Sequence, residues 1–575
     1  MSTPAPPPEV DPGMAAGGDA APAGRSMAAG VDAAPAGRGM AAPGDGAAAG
    51  RSMATAGTLL LAAFLVTKVA GYLEKVVIAH RFGTGREMDA YVLAFTIPNF
   101  FLFLVIGGAV SSAFVPVVTE RLARGREEDA VGVVNGVMTA ALLILVVGVV
   151  ALELAAPLLV AVVAQKLPPA SRDLELNLTR IILIQPLFLG LGGFSLGVMN
   201  AYRRFRPLAL APLAYDLVMI AAALFLVRVR FHGGPLGIFG LAIGVAAAGF
   251  VHFAVQLYSL VRIGWRPLSV ARLGDPGVRR VAGLTVPIAL SLVAAQANIA
   301  IDNGLATNLP SGNLSALGFA NDLAQIPNLT FTTALTLVVF PFLAGQAALG
   351  DLDGLRRRAA LALRLNLLTL LPAATALVVL GPQIIALLLQ RGAFDARSTA
   401  LVYVPLALFA VGIAAQASIF LVVRVYYSLQ AVMTPMLVAL VAVGCNLALT
   451  LALLHPLGAG GLALATSLSS IVNLVLLIAL LRPRLGGFEG LELAAMMGRA
   501  AAGCAALALV AYPAYHLLAG GGAIRLDARH YLALALALAL GFGAYLAVQF
   551  ALRSPEAAVA LRLLTRRVSG RASAT

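Results

Sequence analysis

The chain has 575 residues, 60% of them hydrophobic and 11% charged, with a formal net charge of +14. A soluble domain carries about 25% charged residues, so this composition excludes a water-soluble fold and points to an all-α polytopic membrane protein. The positive balance does not indicate nucleic acid, because the arginines sit in short clusters between apolar runs and no folded basic domain is left to bind it.

Residues 1–56 are Ala, Gly and Pro with almost no large apolar side chains, which predicts a disordered tail. The tail repeats itself as Gly24-Arg25-Ser26-Met27, Gly37-Arg38-Gly39-Met40 and Gly50-Arg51-Ser52-Met53. It contains no apolar stretch of the kind a signal peptide needs, and Arg25, Arg38 and Arg51 favour a cytoplasmic N-terminus. Beyond it, apolar runs of spanning length, about 20 residues each, number about fourteen. They lie near 57–79, 89–119, 130–164, 175–201, 207–230, 236–262, 281–307, 313–346, 357–390, 398–428, 434–455, 459–481, 494–518 and 530–552.

Basic clusters follow the second span (Arg121, Arg124, Arg126), the fourth (Arg203, Arg204, Arg206), the sixth (Arg262 to Arg280), the eighth (Arg356, Arg357, Arg358) and the twelfth (Arg482, Arg484). Positive loops stay inside, so even-numbered loops and both termini are expected on the cytoplasmic side. Arg228 and Arg230, after the fifth span, depart from that alternation. Cys445 and Cys504 lie within apolar runs and read as small core residues. The six histidines have no ligand spacing, and Asp351-Leu352-Asp353-Gly354 reads as a solvated turn, so no enzyme is expected.

The chain also resembles itself at an offset near 225. Ile97-Pro98-Asn99 returns as Ile326-Pro327-Asn328, and Leu154-Ala155-Ala156-Pro157 is echoed by Val379-Leu380-Gly381-Pro382. Tyr202 to Pro207 is echoed around Tyr427 to Pro435, and Gly240-Leu241-Ala242 returns as Gly461-Leu462-Ala463. Two six-helix pseudo-repeats are expected, at 57–275 and 276–488, followed by two further helices at 489–552 and a basic cytoplasmic tail at 553–575. An even number of spans per unit gives both units the same orientation, an arrangement typical of transporters with a cavity between two lobes.

A set of motifs in fixed order carries a resemblance. They are Phe82-Gly83-Thr84-Gly85 with Asp89-Ala90, Ile97-Pro98-Asn99 and Ala113-Phe114-Val115-Pro116. Later come Tyr426-Tyr427-Ser428-Leu429-Gln430 with Thr434-Pro435, and Gly461 to Ser467. Over about 57–552 the chain resembles the MurJ/MviN lipid II flippase family, whose superfamily also holds multidrug exporters and polysaccharide-lipid flippases. The resemblance implies alternating-access movement of an undecaprenyl-pyrophosphate-linked sugar–peptide from the inner to the outer leaflet, for cell-wall synthesis. It implies a polyprenyl-linked glycan as ligand, with membrane lipids and cell-wall synthesis proteins as partners. Another polyprenyl-linked oligosaccharide, or cation-coupled export of a small molecule, stands as the alternative.

Ionisable residues inside spans are functional candidates by default. The substrate-binding set is Lys68, Glu74, Lys75, Asp89, Asp322, Arg364 and Arg424. Lys68 and Lys75, seven apart, share a helix face with Gly71 and Tyr72 between them. A cationic stripe of this kind suits a pyrophosphate; the competing reading is lysines snorkelling to the interface. By the resemblance Lys68 and Leu102 occupy arginine positions, Glu74-Lys75 stands for Arg-Asp, and Asn321-Asp322 for Asp-Arg. No cofactor is implied beyond a sodium ion held by Asp302, Asn446, Thr450 and Thr466. Asn446 and Thr450 are one turn apart, and hard cations want several oxygens. The competing reading of the same residues is hydrogen bonding between helices.

Overall fold

The computed structural model describes residues 66–106, 114–202, 204–231, 234–268, 273–431, 433–487, 490–522 and 524–559. The expected tail at 1–56 and the residues from 560 onward lie outside these. Eighteen α-helices of nine residues or more run through the described residues. Helix α1 covers 66–82. It is followed by α2 (Arg86–Ala94), α3 (Thr96–Ile106), α4 (Val115–Ala123), α5 (Glu127–Val163), α6 (Pro169–Ile182), α7 (Gln185–Ala201), α8 (Phe205–Leu224) and α9 (Ile238–Ile263). The second half holds α10 (Pro276–Ala306), α11 (Asn313–Ala348), α12 (Leu352–Val379), α13 (Gly381–Leu389), α14 (Ala396–Ser428), α15 (Met433–Leu457) and α16 (Ala459–Leu481). Helices α17 (Gly490–Ala519) and α18 (Ala528–Ala551) follow. Two-residue strands, Arg230–Phe231 and Gly234–Pro235, make a small hairpin between α8 and α9.

Among the described residues, eleven of the expected spans are long and apolar enough to cross a membrane; α1, α10 and α11 account for the other three. Large apolar side chains face outward, as on α5, where Val147, Leu154 and Leu158 are 66–80% exposed. Such a face is stable only against lipid.

Three spans read as continuous are broken. The second is divided between α2 and α3, the fourth between α6 and α7, and the ninth between α12 and α13. Each new helix has a proline in its opening turn: Pro98, Pro186 and Pro382. Proline disfavours helical geometry in the residue before it but suits the start of a helix. Pro157, Pro212, Pro372 and Pro405 instead lie inside continuous helices. Several helix starts are capped by aspartate. Asp275, Asp351, Asp395 and Asp527 accept hydrogen bonds from the first-turn N–H groups of α10, α12, α14 and α18, which satisfies donors the helix cannot satisfy itself. The acidic turn at Asp351 is therefore a cap.

Contacts between loops support the alternation read from charge. Arg121, after the second span, pairs with Asp275 at 3.1 Å, and Arg280 pairs with Glu120 at 3.2 Å, so the second and sixth loops share a face. On the other face the Ala393 N–H donates to the His80 carbonyl at 2.9 Å, and Thr84 Oγ1 lies 2.8 Å from Ser398 Oγ. The first and ninth loops meet there.

The internal repeat is visible in packing. Helix α9 packs on α7 and α8 as α16 packs on α14 and α15; α7 packs on α5 as α14 does on α12; α3 packs on α7 as α11 does on α14. The turns that begin α9 and α16 are superposable in their dihedrals, with Gly237 at φ 55°, ψ −130° and Gly458 at φ 56°, ψ −132°. That geometry is open to glycine alone. Three residues on, Gly240 and Gly461 press against the carbonyls of Leu226 and Leu453, leaving no room for a Cβ. The α17–α18 pair packs on α12, where Tyr545 Oη donates to the Leu368 carbonyl at 2.9 Å.

Candidate functional site

A chamber of about 530 Å³ lies between the two halves. Glu74 and Lys75 of α1, Tyr91 of α2, Asn99 of α3 and Tyr215 of α8 line it from the first half, and Gln296 and Asn303 of α10 with Asn321 and Asp322 of α11 line it from the second. A neighbouring recess of about 420 Å³ shares Lys75 and Asp322 and adds Lys68, Gly71, Tyr72, Asp216 and Gln325. The α1 stripe of Lys68, Gly71, Tyr72 and Lys75 thus faces a cavity.

Lys75 Nζ lies 3.3 Å from Asp322 Oδ2, a pair that links α1 of the first half to α11 of the second. Both side chains are about half exposed, so the pair is worth at most about 1 kcal/mol and can be exchanged for other partners. Asn303 Nδ2 donates to Thr96 Oγ1 at 3.0 Å, a second link between the halves, and Gln185 donates to the Tyr215 hydroxyl at 2.8 Å. Asp216, on α8, is absent from the sequence-derived candidates, although an ionisable residue inside an apolar run is itself the signal. Its carboxylate lies against α1: a Cβ on Gly71 would stand 3.3 Å from Asp216 Oδ2.

Asp89 is buried, is not among the residues lining the chamber, and has a different role. Its carboxylate accepts from the N–H groups of Gly312 at 2.5 Å and Ser315 at 2.7 Å, and from the Ser311 hydroxyl at 3.4 Å. It therefore caps the start of α11 from the opposite half and ties the first loop to the seventh. Arg364 lies away from the chamber residues. It pairs with Glu492 of α17 and lies 3.6 Å from Glu556, which also pairs with Arg499 at 3.3 Å. Glu556 is buried and lies in a short helical turn after α18, so the first residues of the segment expected as a basic tail from 553 are docked on the protein. Arg424 is exposed on α14 and is not among the residues lining either cavity.

The four residues expected to hold sodium come together. Thr450 Oγ1 lies 3.4 Å from Asp302 Oδ1 and 3.5 Å from Asn446 Oδ1, and Asn446 Nδ2 lies 3.4 Å from Thr466 Oγ1. Asn298 adds a contact to Asp302 Oδ2 at 3.4 Å. Rotating the Asn446 amide gives a tighter network, with its nitrogen 3.2 Å from Asp302 Oδ1 and 3.1 Å from Asn298 Oδ1. The cluster offers a carboxylate, amide oxygens and hydroxyls, all hard ligands, and it joins α10, α15 and α16 whether or not an ion is bound.

Comparison with known proteins agrees with this geometry. The family model for the lipid II flippase MurJ matches residues 78–526. A probable lipid II flippase MurJ of Rhizobium meliloti (strain 1021) is 28% identical over 535 residues, covering 89% of this chain and 96% of the relative. The lipid II flippase MurJ of Burkholderia cenocepacia is 30% identical over 432 residues, covering 73% and 82%. A solved lipid II flippase MurJ in an inward closed conformation aligns with a TM-score of 0.70 at 20% identity, covering 86% of this chain and 98% of its own. An inward-facing multidrug transporter of the MATE family aligns with a TM-score of 0.60 at 13% identity, covering 73% and 94%. These two structures speak for the fold, and the sequence matches speak for descent: the chain belongs to the lipid II flippase MurJ family.

Proposed function

We propose that this chain is a lipid II flippase, a transporter and not an enzyme, which turns a polyprenyl-pyrophosphate-linked sugar–peptide from the inner to the outer leaflet of a bacterial plasma membrane. The observation that carries the reading is a polar, charge-bearing chamber enclosed between two halves of an otherwise lipid-facing protein. A pyrophosphate and sugars cannot cross hydrocarbon without partners, because each buried polar group costs several kcal/mol. The chamber and its neighbouring recess, with amides, hydroxyls and two lysines between them, supply those partners while the polyprenyl chain stays in the bilayer.

Lys68 and Lys75 line the cavities the phosphates would enter, and Asp322 holds Lys75 until the substrate competes for it. On the face of the first, seventh and ninth loops the halves are tied by Asp89, Thr84–Ser398 and His80–Ala393. With both termini cytoplasmic, that face is the outer one, and this arrangement is closed to the outside. Alternating access breaks those ties and makes others on the basic face. A sodium ion at Asp302, Asn446, Thr450 and Thr466 would neutralise a carboxylate inside the second half; the oxygen-rich donor set fits it.

The direct test is transport. The reconstituted full chain should expose labelled lipid II on the far leaflet with no covalent product, and the gene should rescue cells depleted of their own lipid II flippase. Lys68→Ala should lower the rate at normal abundance. Absence of both transport and rescue by the wild-type chain would end this reading.

A further inference from the structure

We propose that the chamber selects a headgroup that carries a free ammonium group as well as its phosphates, with Glu74 and Asp216 as acceptors of that ammonium; this deepens the flippase reading and rests on it. Glu74 lines the chamber, yet its residue is only 7% exposed. Among the described residues it makes no hydrogen bond or ion pair. Its neighbour Lys75 is engaged by Asp322 at 3.3 Å. Asp216 reaches the same helix one turn earlier, against Gly71. Two lysines therefore stand among three carboxylates, and among the described residues neither Glu74, the most buried of the five charged groups, nor Asp216 receives a hydrogen bond.

A carboxylate withdrawn from water without a donor is costly, and the cost is recovered when a cationic donor arrives. A ligand bearing only phosphates makes matters worse, since it adds negative charge beside an unpaired negative group. A ligand that also presents an alkylammonium satisfies both ends: its phosphates meet Lys68, and its three N–H donors meet Glu74 and Asp216. Lys68 and Glu74 are six residues apart on α1, about 9 Å along the axis at 1.5 Å per residue. The phosphate and the amine must therefore be set apart by a spacing of that order. A peptide side chain hung on a sugar–pyrophosphate meets the requirement; a compact phosphate ester does not.

The test compares two probes on the full-length chain in proteoliposomes. One is a polyprenyl-pyrophosphate-linked sugar–peptide with a free side-chain amine, and the other is the same molecule acetylated at that amine. At limiting concentration the wild type should move the free-amine probe at least about tenfold faster, the low end for one charge-assisted hydrogen bond. Glu74→Gln should bring the two rates within about twofold by slowing the free-amine probe, and Asp216→Asn should act in the same direction. Equal rates in the wild type would overturn the proposal and leave the flippase reading intact. A preference that survives both substitutions would overturn the assignment to these carboxylates. Transport of neither probe by the wild type would remove the flippase reading and this proposal with it.

Discussion

Replacing Asp89 by alanine should release the closed face. The carboxylate accepts two N–H groups at the start of α11, at 2.5 and 2.7 Å, and a serine hydroxyl at 3.4 Å. It comes from α2, whereas its partners come from the loop between α10 and α11 and the first turn of α11, so these bonds exist only while the halves meet. A helix cap is worth about 1 kcal/mol, and a carboxylate at a partly buried helix N-terminus up to about 2 kcal/mol. Together they give about 2–3 kcal/mol. At 1.4 kcal/mol per tenfold, the ratio of closed to open should fall about 30- to 150-fold. Thr84 Oγ1 and Ser398 Oγ, 2.8 Å apart across the same face, provide the reporter. Cysteines at both positions, with Cys445 and Cys504 replaced by alanine, should cross-link rapidly with Asp89 present and much more slowly with Asp89→Ala. Asp89→Asn keeps an acceptor and loses the charge, so it should fall between. An unchanged cross-linking rate in Asp89→Ala would refute the claim that this cap holds the halves together.

Three further outcomes are expected. Sodium should stabilise the wild-type protein over potassium, by about 2.7 kcal/mol at a hundred times its dissociation constant; Asp302→Ala should erase the difference, and an identical sodium effect in that variant would discard the ion site. Gly461→Ala would set a Cβ 2.2 Å from the Leu453 oxygen and should cost about 3 kcal/mol, read as a lower melting temperature, whereas Gly444→Ala, with open space around it, should be neutral. Asp395 caps α14, and the Ser398 N–H holds its carboxyl below the usual carboxylate range. A depressed folded-state pKa gives stability that is present above the unfolded value of about 3.9 and lost as pH falls through the folded value. Asp395→Asn should therefore be less stable than the wild type near neutrality, with the gap closing in acid; a gap independent of pH would contradict the cap's charge dependence.

Much of this was legible in the residues because the bilayer imposes simple demands. Apolar runs located the spans, since lipid admits little else. Basic clusters correctly grouped the second and sixth loops, which Arg121 and Asp275 join. Repeated Gly-Leu-Ala triplets marked α9 and α16, because each begins at a turn that only glycine can make. The helix breaks at Pro98, Pro186 and Pro382 were harder, as proline opens a helix at these positions and rides inside one at Pro157 and Pro212. Among the site residues, Lys68, Glu74, Lys75 and Asp322 face one cavity system, and the Asp302 cluster assembles. Asp89 and Arg364 carry the same kind of charge but are spent on helix capping and on an ion cluster with α17. Intramembrane charge marks a residue as needing a partner, and only the fold reveals whether that partner is protein or ligand. Asp216 went unmarked because nothing nearby in sequence pairs with it; its neighbours come from α1.

The anchoring of α17 and α18 bears on how the molecule moves. Arg364 of α12, Glu492 and Arg499 of α17 and the buried Glu556 beyond α18 form one ionic knot, and the hydroxyls of Tyr531 and Tyr545 fasten α18 to the carbonyls of Leu387 and Leu368. The last two helices are thus riveted to the second half and ride with it as an outrigger. Under the proposed alternating access, the surface these helices offer to lipid would keep its shape and change only its tilt, so a polyprenyl chain resting there would be carried rather than handed over.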